Sequence, residues 1–123
     1  MSGEVEMLPW GRQIDYTSPT GVKTKLYNIG TLAYAVGRDT QTIRKWEIAG
    51  ILPPTPFRVG GKRMYSKEHI DAVVDSATRS KIKNGSSIAQ TQFSQRLYRN
   101  FEKINKMFFG ETYSDKEENN NEE

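Results

Sequence analysis

Two short stretches hold the side chains of this sequence best suited to chemistry with a partner. Thr40, Gln41 and Thr42 put two hydroxyls and an amide in consecutive positions, and Arg44 and Lys45 follow directly. Further on, Arg58, Lys62 and Arg63 surround the pair Gly60-Gly61. A glutamine amide donates and accepts at once, which suits a planar edge carrying an adjacent donor and acceptor. Guanidinium and ammonium groups suit anions, phosphate above all.

The rest of the inventory offers little reaction chemistry. With no cysteine there is neither a disulfide framework nor a thiolate metal site, and one histidine cannot build a multi-histidine zinc site. That residue, His69, stands among Lys67, Glu68 and Asp71 and is expected to be exposed. No G-x-S-x-G, P-loop or paired-carboxylate pattern occurs, and Val59-Gly60-Gly61 lacks the G-K-[ST] that a phosphate cradle needs. Neither an enzyme nor a metal or other cofactor is expected. At 123 residues the chain has room for one small core with extensions. It shows no apolar run long enough to span a membrane, and MSGEVEMLPW lacks the basic-then-apolar order of a leader. A cytoplasmic protein without a membrane partner is expected.

Both stretches need elements to hold them. Ile29, Leu32, Ala33 and Val36 recur at i, i+3, i+4 and i+7, the stripe of a short helix that Asn28 can cap and Gly37 can end. Asp39 is placed to cap a second helix over 39–50, whose carboxylate would accept the free N–H groups of the first turn. Ile43 and Trp46 give that helix its inner face, with Trp46 as a core anchor, and Gly50 is its left-handed stop. Ile51 and Leu52 then fold back onto the core. Two short helices joined by three residues form a helix-turn-helix. Phe57 and Val59 before Gly60-Gly61, with Met64 and Tyr65 after, predict a tight hairpin over 57–65, because both glycines tolerate positive φ. Ser66 caps a third helix carrying Ile70, Val73, Val74 and Ala77. Helix, helix, hairpin, helix is the order of a winged helix-turn-helix, a mainly α fold with a small β-hairpin wing.

Charge supports a polyanionic partner. The formal charge of +3 conceals a tail, 111–123, in which six acids face one base, and residues 1–110 therefore carry a net +8. Residues 23–83 hold twelve bases against five acids. In a winged helix-turn-helix the second helix enters the major groove of double-stranded DNA with its N-terminal residues near base edges. There Gln41 can make a bidentate contact to adenine, and Thr40 or Thr42 can bond a base edge or pack on a thymine methyl. Arg44 and Lys45 would flank the groove, while Arg58, Lys62 and Arg63 suit phosphate or the narrow minor groove.

The run YNIGTLAYAVGRDTQTIRKWEIAGILPP resembles the start of MerR-type DNA-binding domains, with its T-I-R triplet (Thr42, Ile43, Arg44), an aromatic, a glutamate and then G-[IL]-L-P. RVGGKRMYSKEHIDAV is similar both to MerR wings (Arg63, Tyr65, Ser66) and to the V-G-G-[KR]-R wing of the excisionase-like group. The resemblance covers about residues 27–76. It implies a winged helix-turn-helix that binds DNA through its second helix and its wing. MerR recognition helices commonly show two aromatics after T-I-R, where this chain has Lys45-Trp46. Effector sites of that family are often cysteine-based, so metal sensing is not expected here.

Flanking segments complete the expected organisation. Residues 1–26 form an N-terminal arm or a hairpin turning at Ser18-Pro19-Thr20-Gly21, with the first nine disordered. The winged domain spans 27–84, and Asn84-Gly85 breaks its last helix. A helix over 86–110, with Ser87 and Gln90 as a capping box, carries Phe93, Leu97, Phe101, Ile104 and Phe108 at near-heptad spacing. These five form an oligomerisation face or else pack onto the chain's own domain. Arg96, Arg99, Glu102, Lys103 and Lys106 would face outward, and residues 111–123 form a disordered acidic tail.

Three roles fit these features. The first is a small phage or mobile-element transcription regulator or recombination directionality factor, homo-oligomeric through the C-terminal helix and able to meet a larger recombinase or polymerase. The second is a viral DNA-packaging component resembling a small terminase subunit, with a packaging partner. The third is a protein-interaction module that has lost DNA binding.

Overall fold

The structure, a computed structural model, describes residues 13–80 and 87–113. The expected disordered N-terminus, the Asn84-Gly85 break, the Ser87 side chain and nearly all of the acidic tail lie outside the described residues. In chain order the elements are β1 (Ile14–Thr17), β2 (Lys23–Tyr27), α1 (Ile29–Val36), α2 (Thr40–Ile48), β3 (Phe57–Val59), β4 (Lys62–Ser66), α3 (Lys67–Ser80) and α4 (Ser87–Phe109).

Local chemistry sets the ends of the helices. Asn28 Oδ1 accepts from Thr31 N at 3.0 Å and starts α1, which Gly37 ends at φ 76°. Asp39 Oδ1 accepts from Thr42 N at 2.8 Å and starts α2 two residues later. Beyond α2 the chain turns through Gly50 at φ 78°, and the N–H groups of Ile51 and Leu52 both return to the Trp46 carbonyl. That reversal buries Leu52 beside Trp46 in the core. Ser66 Oγ accepts from His69 N at 3.0 Å at the head of α3.

The strands make one antiparallel sheet in the order β1-β2-β4-β3. β3 and β4 form the wing hairpin, with Arg58 opposite Arg63 and Val59 opposite Lys62. Its turn has Gly60 at φ 60° and Gly61 at φ 79°, the paired positive angles that a two-residue hairpin requires. The N-terminal segment is a true hairpin. It also joins the wing, since Leu26 pairs with Ser66 and Tyr27 with Tyr65. At the hairpin's turn Thr20 Oγ1 lies 2.7 Å from the Met107 carbonyl and 3.0 Å from that of Phe108. It thereby occupies carbonyls that the end of α4 would otherwise leave open.

Two apolar clusters result. One gathers Leu32, Ile43, Trp46, Leu52, Tyr65 and Val73 under Phe93, Leu97 and Phe101 of α4. The second, beneath the sheet, joins Leu26, Phe57, Met64 and Phe108, with Ile14, Tyr16 and Ile104 against it. Phe57 is its hub, with ring centroids 5.0 Å from Tyr16 and 5.5 Å from Phe108. Trp46 meets Phe93 edge-on at 5.0 Å, as an anchor in the core should.

Of the two readings of the C-terminal seam this packing shows the second, and it corrects the exposure expected of His69. The seam Phe93, Leu97, Phe101, Ile104, Phe108 faces the chain's own core: four of the five are buried and Ile104 is half-buried. The winged unit is too thin to cover Trp46, Val73 and Phe57 by itself, and α4 closes it. His69 is not exposed but fully buried, because it shares an inward face with Ile70, Val73 and Ser76. Its ring is satisfied by Ser66 Oγ at 2.6 Å and Asn105 Oδ1 at 2.8 Å. Burial pushes its pKa down to about 4, against a smaller opposing effect of the Asn105 bond, so the ring is neutral at physiological pH. Of the charges placed on the outer face of α4, Arg99, Glu102 and Lys103 are exposed, while Arg96 and Lys106 are half-buried.

Candidate nucleic-acid interface

α2 divides its side chains cleanly. Ile43 and Trp46 are buried, while Gln41, Arg44, Lys45 and Ile48 are exposed. Adjacent Arg44 and Lys45 can both reach solvent because the inner stripe passes on either side of them. Thr40 and Thr42 are half-buried at the start of the helix, and the backbone N–H of Thr42 is already committed to Asp39. The Thr42 bonds hold the Asp39 carboxyl below the usual range.

On the wing, Arg58, Val59, both glycines and Lys62 are exposed. Among the described residues Arg44, Lys45, Arg58 and Lys62 take part in no ion pair, so their charge is available to a partner. Arg63 differs from its neighbours. Its Nε lies 3.5 Å from Glu47 Oε2, and its Nη1 donates to the Thr55 carbonyl at 2.8 Å. A role inside the wing is therefore already occupied before any ligand arrives.

A groove of about 700 Å³ separates α2 from the wing. Thr40, Arg44, Glu47 and Ile48 form one wall, Arg58, Lys62, Arg63 and Tyr65 the other, and the start of α1 closes the end. Five of the eight residues predicted from sequence thus border one concavity, whereas Gln41, Thr42 and Lys45 are not part of its lining. Gln41 and Lys45 remain on the open face of α2. The arrangement can hold a polyanion: cations stand on both walls, and exposed Gln41 follows Thr40 of the lining on the same helix.

Two features of the groove escaped the sequence reading. Ile48 is 87% exposed at the end of α2, four residues after Arg44 and off the Ile43–Trp46 stripe. That offset was the available signal. Glu47 accepts a hydrogen bond from Tyr65 Oη in addition to pairing with Arg63. Burial, followed by that bond and the carboxylate's charge, raises the Tyr65 pKa far above its ordinary value, so the phenol stays a donor. No local spacing rule connects residues 47, 63 and 65.

Helix-turn-helix, wing and following helix define a winged helix-turn-helix protein. Residues 27–74 match the sequence model described as MerR HTH family regulatory protein. The match runs from Tyr27 in β2 to Val74 in α3 and contains every residue of the groove. This is a DNA-binding fold of regulatory proteins. No curated protein and no solved structure matches the chain. Among the described residues no helix is long and apolar enough to cross a membrane, and no cluster of His, Asp and Glu is arranged to hold a metal ion.

Proposed function

We propose that this protein is a sequence-specific regulator of double-stranded DNA that lays α2 in the major groove and the wing on the neighbouring backbone or minor groove. The observation that carries the reading is the groove itself, where Arg44 on α2 faces Arg58 and Lys62 on the wing, inside the segment that matches a family of regulatory proteins. Gln41 reads a base edge from the exposed face of α2, with Thr40 and Thr42 beside it at the helix start. Arg44, Lys45, Arg58 and Lys62 hold phosphates, and Arg63 serves chiefly to shape the wing.

Transcription regulation is favoured over a packaging role by the match of residues 27–74 to a model of regulatory proteins. The seam of the C-terminal helix, which either role would have used to gather copies of the chain, is buried within one copy and so favours neither. A recombination directionality factor would use the same groove on the same kind of ligand. Binding of a random duplex over a salt series tests the shared claim. Affinity should fall linearly on a log–log scale, with a slope that diminishes by about one for each phosphate-contacting cation removed. Absence of a complex at low salt would defeat it.

A further inference from the structure

We propose that Glu47 is a positioning residue that tethers the wing to the reading helix and thereby sets how well the protein distinguishes its own site from bulk DNA. The inference rests on the DNA-binding reading above. Glu47 stands three residues after Arg44 on α2, and its carboxylate lies in the groove whose other lining charges are Arg44, Arg58, Lys62 and Arg63. A lone carboxylate among those cations opposes phosphate of any sequence. Its bonds act differently. Oε2 accepts from Tyr65 Oη and lies 3.5 Å from Arg63 Nε, so one oxygen joins α2 to two residues that project from the same face of β4.

The tether extends further into the wing's base. Arg63 Nη1 donates to the Thr55 carbonyl at 2.8 Å, and Thr55 Oγ1 donates to the Met64 carbonyl at 2.5 Å. Helix, β4 and the 53–56 connection are thus bound together immediately before the hairpin tip. Beyond Arg63 the tip consists of exposed Lys62, Gly61 and Gly60. The bonds at Glu47 therefore fix where the tip's cations sit relative to Gln41 and Arg44. A site is discriminated when base-reading and phosphate-holding groups engage together, and that requires a set distance between α2 and the wing.

Charge and tether separate on substitution. Glu47→Gln keeps an acceptor for Tyr65 but loses the charge and the Arg63 pair. Tyr65→Phe keeps the buried ring and loses only the hydrogen bond. The experiment uses the full chain, a duplex selected with the wild type from a random library, and a random duplex. It adds ¹⁵N relaxation of residues 58–63 without DNA. Glu47→Gln should raise random-duplex affinity about three- to tenfold and narrow the ratio of selected to random binding. Tyr65→Phe should leave random binding unchanged and lower selected binding. Both should loosen residues 58–63 while α2 and α3 keep their wild-type relaxation.

Unchanged wing relaxation, or unchanged discrimination, in both variants would overturn the inference and leave DNA binding standing. A loosened wing in a protein whose wild type binds no duplex at low salt would defeat the DNA reading, and the selectivity claim with it. Thermal unfolding of both variants reports whether the folded fraction is comparable. A Tyr65→Phe protein that unfolds outright would make Tyr65 a core residue alone, and the relaxation and discrimination of Glu47→Gln then decide.

Discussion

His69 Nε2 on α3 and Asn105 Oδ1 on α4 lie 2.8 Å apart inside the core, forming a polar bond between the winged unit and the helix that closes it. Ser66 occupies the other ring nitrogen at 2.6 Å, so a neutral imidazole is fully satisfied. The folded protein holds this ring neutral down to about pH 4, whereas the unfolded chain protonates it near its ordinary pKa of 6.5. Above pH 6.5 the two states bind the same number of protons at this site. As the pH falls from 6.5 toward 4, only the unfolded state gains the proton, and stability is lost by up to about 3 kcal/mol. Denaturant unfolding of the wild type and of His69→Gln between pH 7.5 and 4.5 separates this loss from that of the carboxylates. As the chain's only histidine, His69 can be titrated by NMR without ambiguity, and a pKa near 6.5 would contradict the account.

Gln41 and Lys62 should fail differently. Gln41→Ala is expected to cost about 1–3 kcal/mol at one base position and to relax specificity there. Lys62→Ala should weaken all sequences alike and lower the salt slope by about one. Binding of single-substitution variants of a selected site, measured at several salt concentrations, checks both. Equal losses on every sequence for Gln41→Ala would remove it from base reading.

Phe101 packs edge-on against His69 with centroids 4.6 Å apart and is 1% exposed. Phe101→Ala should therefore cost about 3–5 kcal/mol of folding stability through the cavity it leaves. Denaturant midpoint and solution mass together test this. A variant of unchanged stability but smaller mass would restore the oligomer face.

Gly61 sits at φ 79° with open space where a Cβ would go. Gly61→Ala should cost about 1 kcal/mol from backbone strain alone, without a packing clash. Thermal unfolding reads the cost. A stabilised variant would mean that the wing turn takes another form.

Much of the fold was legible because its signals are local. Asn28, Gly37, Asp39, Gly50, Gly60-Gly61 and Ser66 each act within four residues, and each stands at the boundary where its chemistry belongs. What escaped depends on partners distant in the chain. The pairing of Leu26 with Ser66 attaches the first hairpin to the wing, and nothing near residue 26 announces it. The charged neighbours of His69 disguised an inward position that Phe57 of β3 and Phe101 of α4 make apolar. Phe93, Leu97 and Phe101 have the same spacing whether they meet a second chain or Trp46 and Val73, so periodicity could not choose. In the site, types and spacing marked the cations. The ion pair that distinguishes Arg63 from Lys62 needed Glu47 brought across from α2.

Amide chemical-shift mapping during titration with duplex DNA at low salt shows where the protein meets its ligand. If α2 and the wing hold DNA, perturbations should concentrate at residues 40–48 and 58–63 and reverse as salt is raised, with the outer face of α4 unmoved. Perturbations centred on α4 or β1, or none at all, would contradict it.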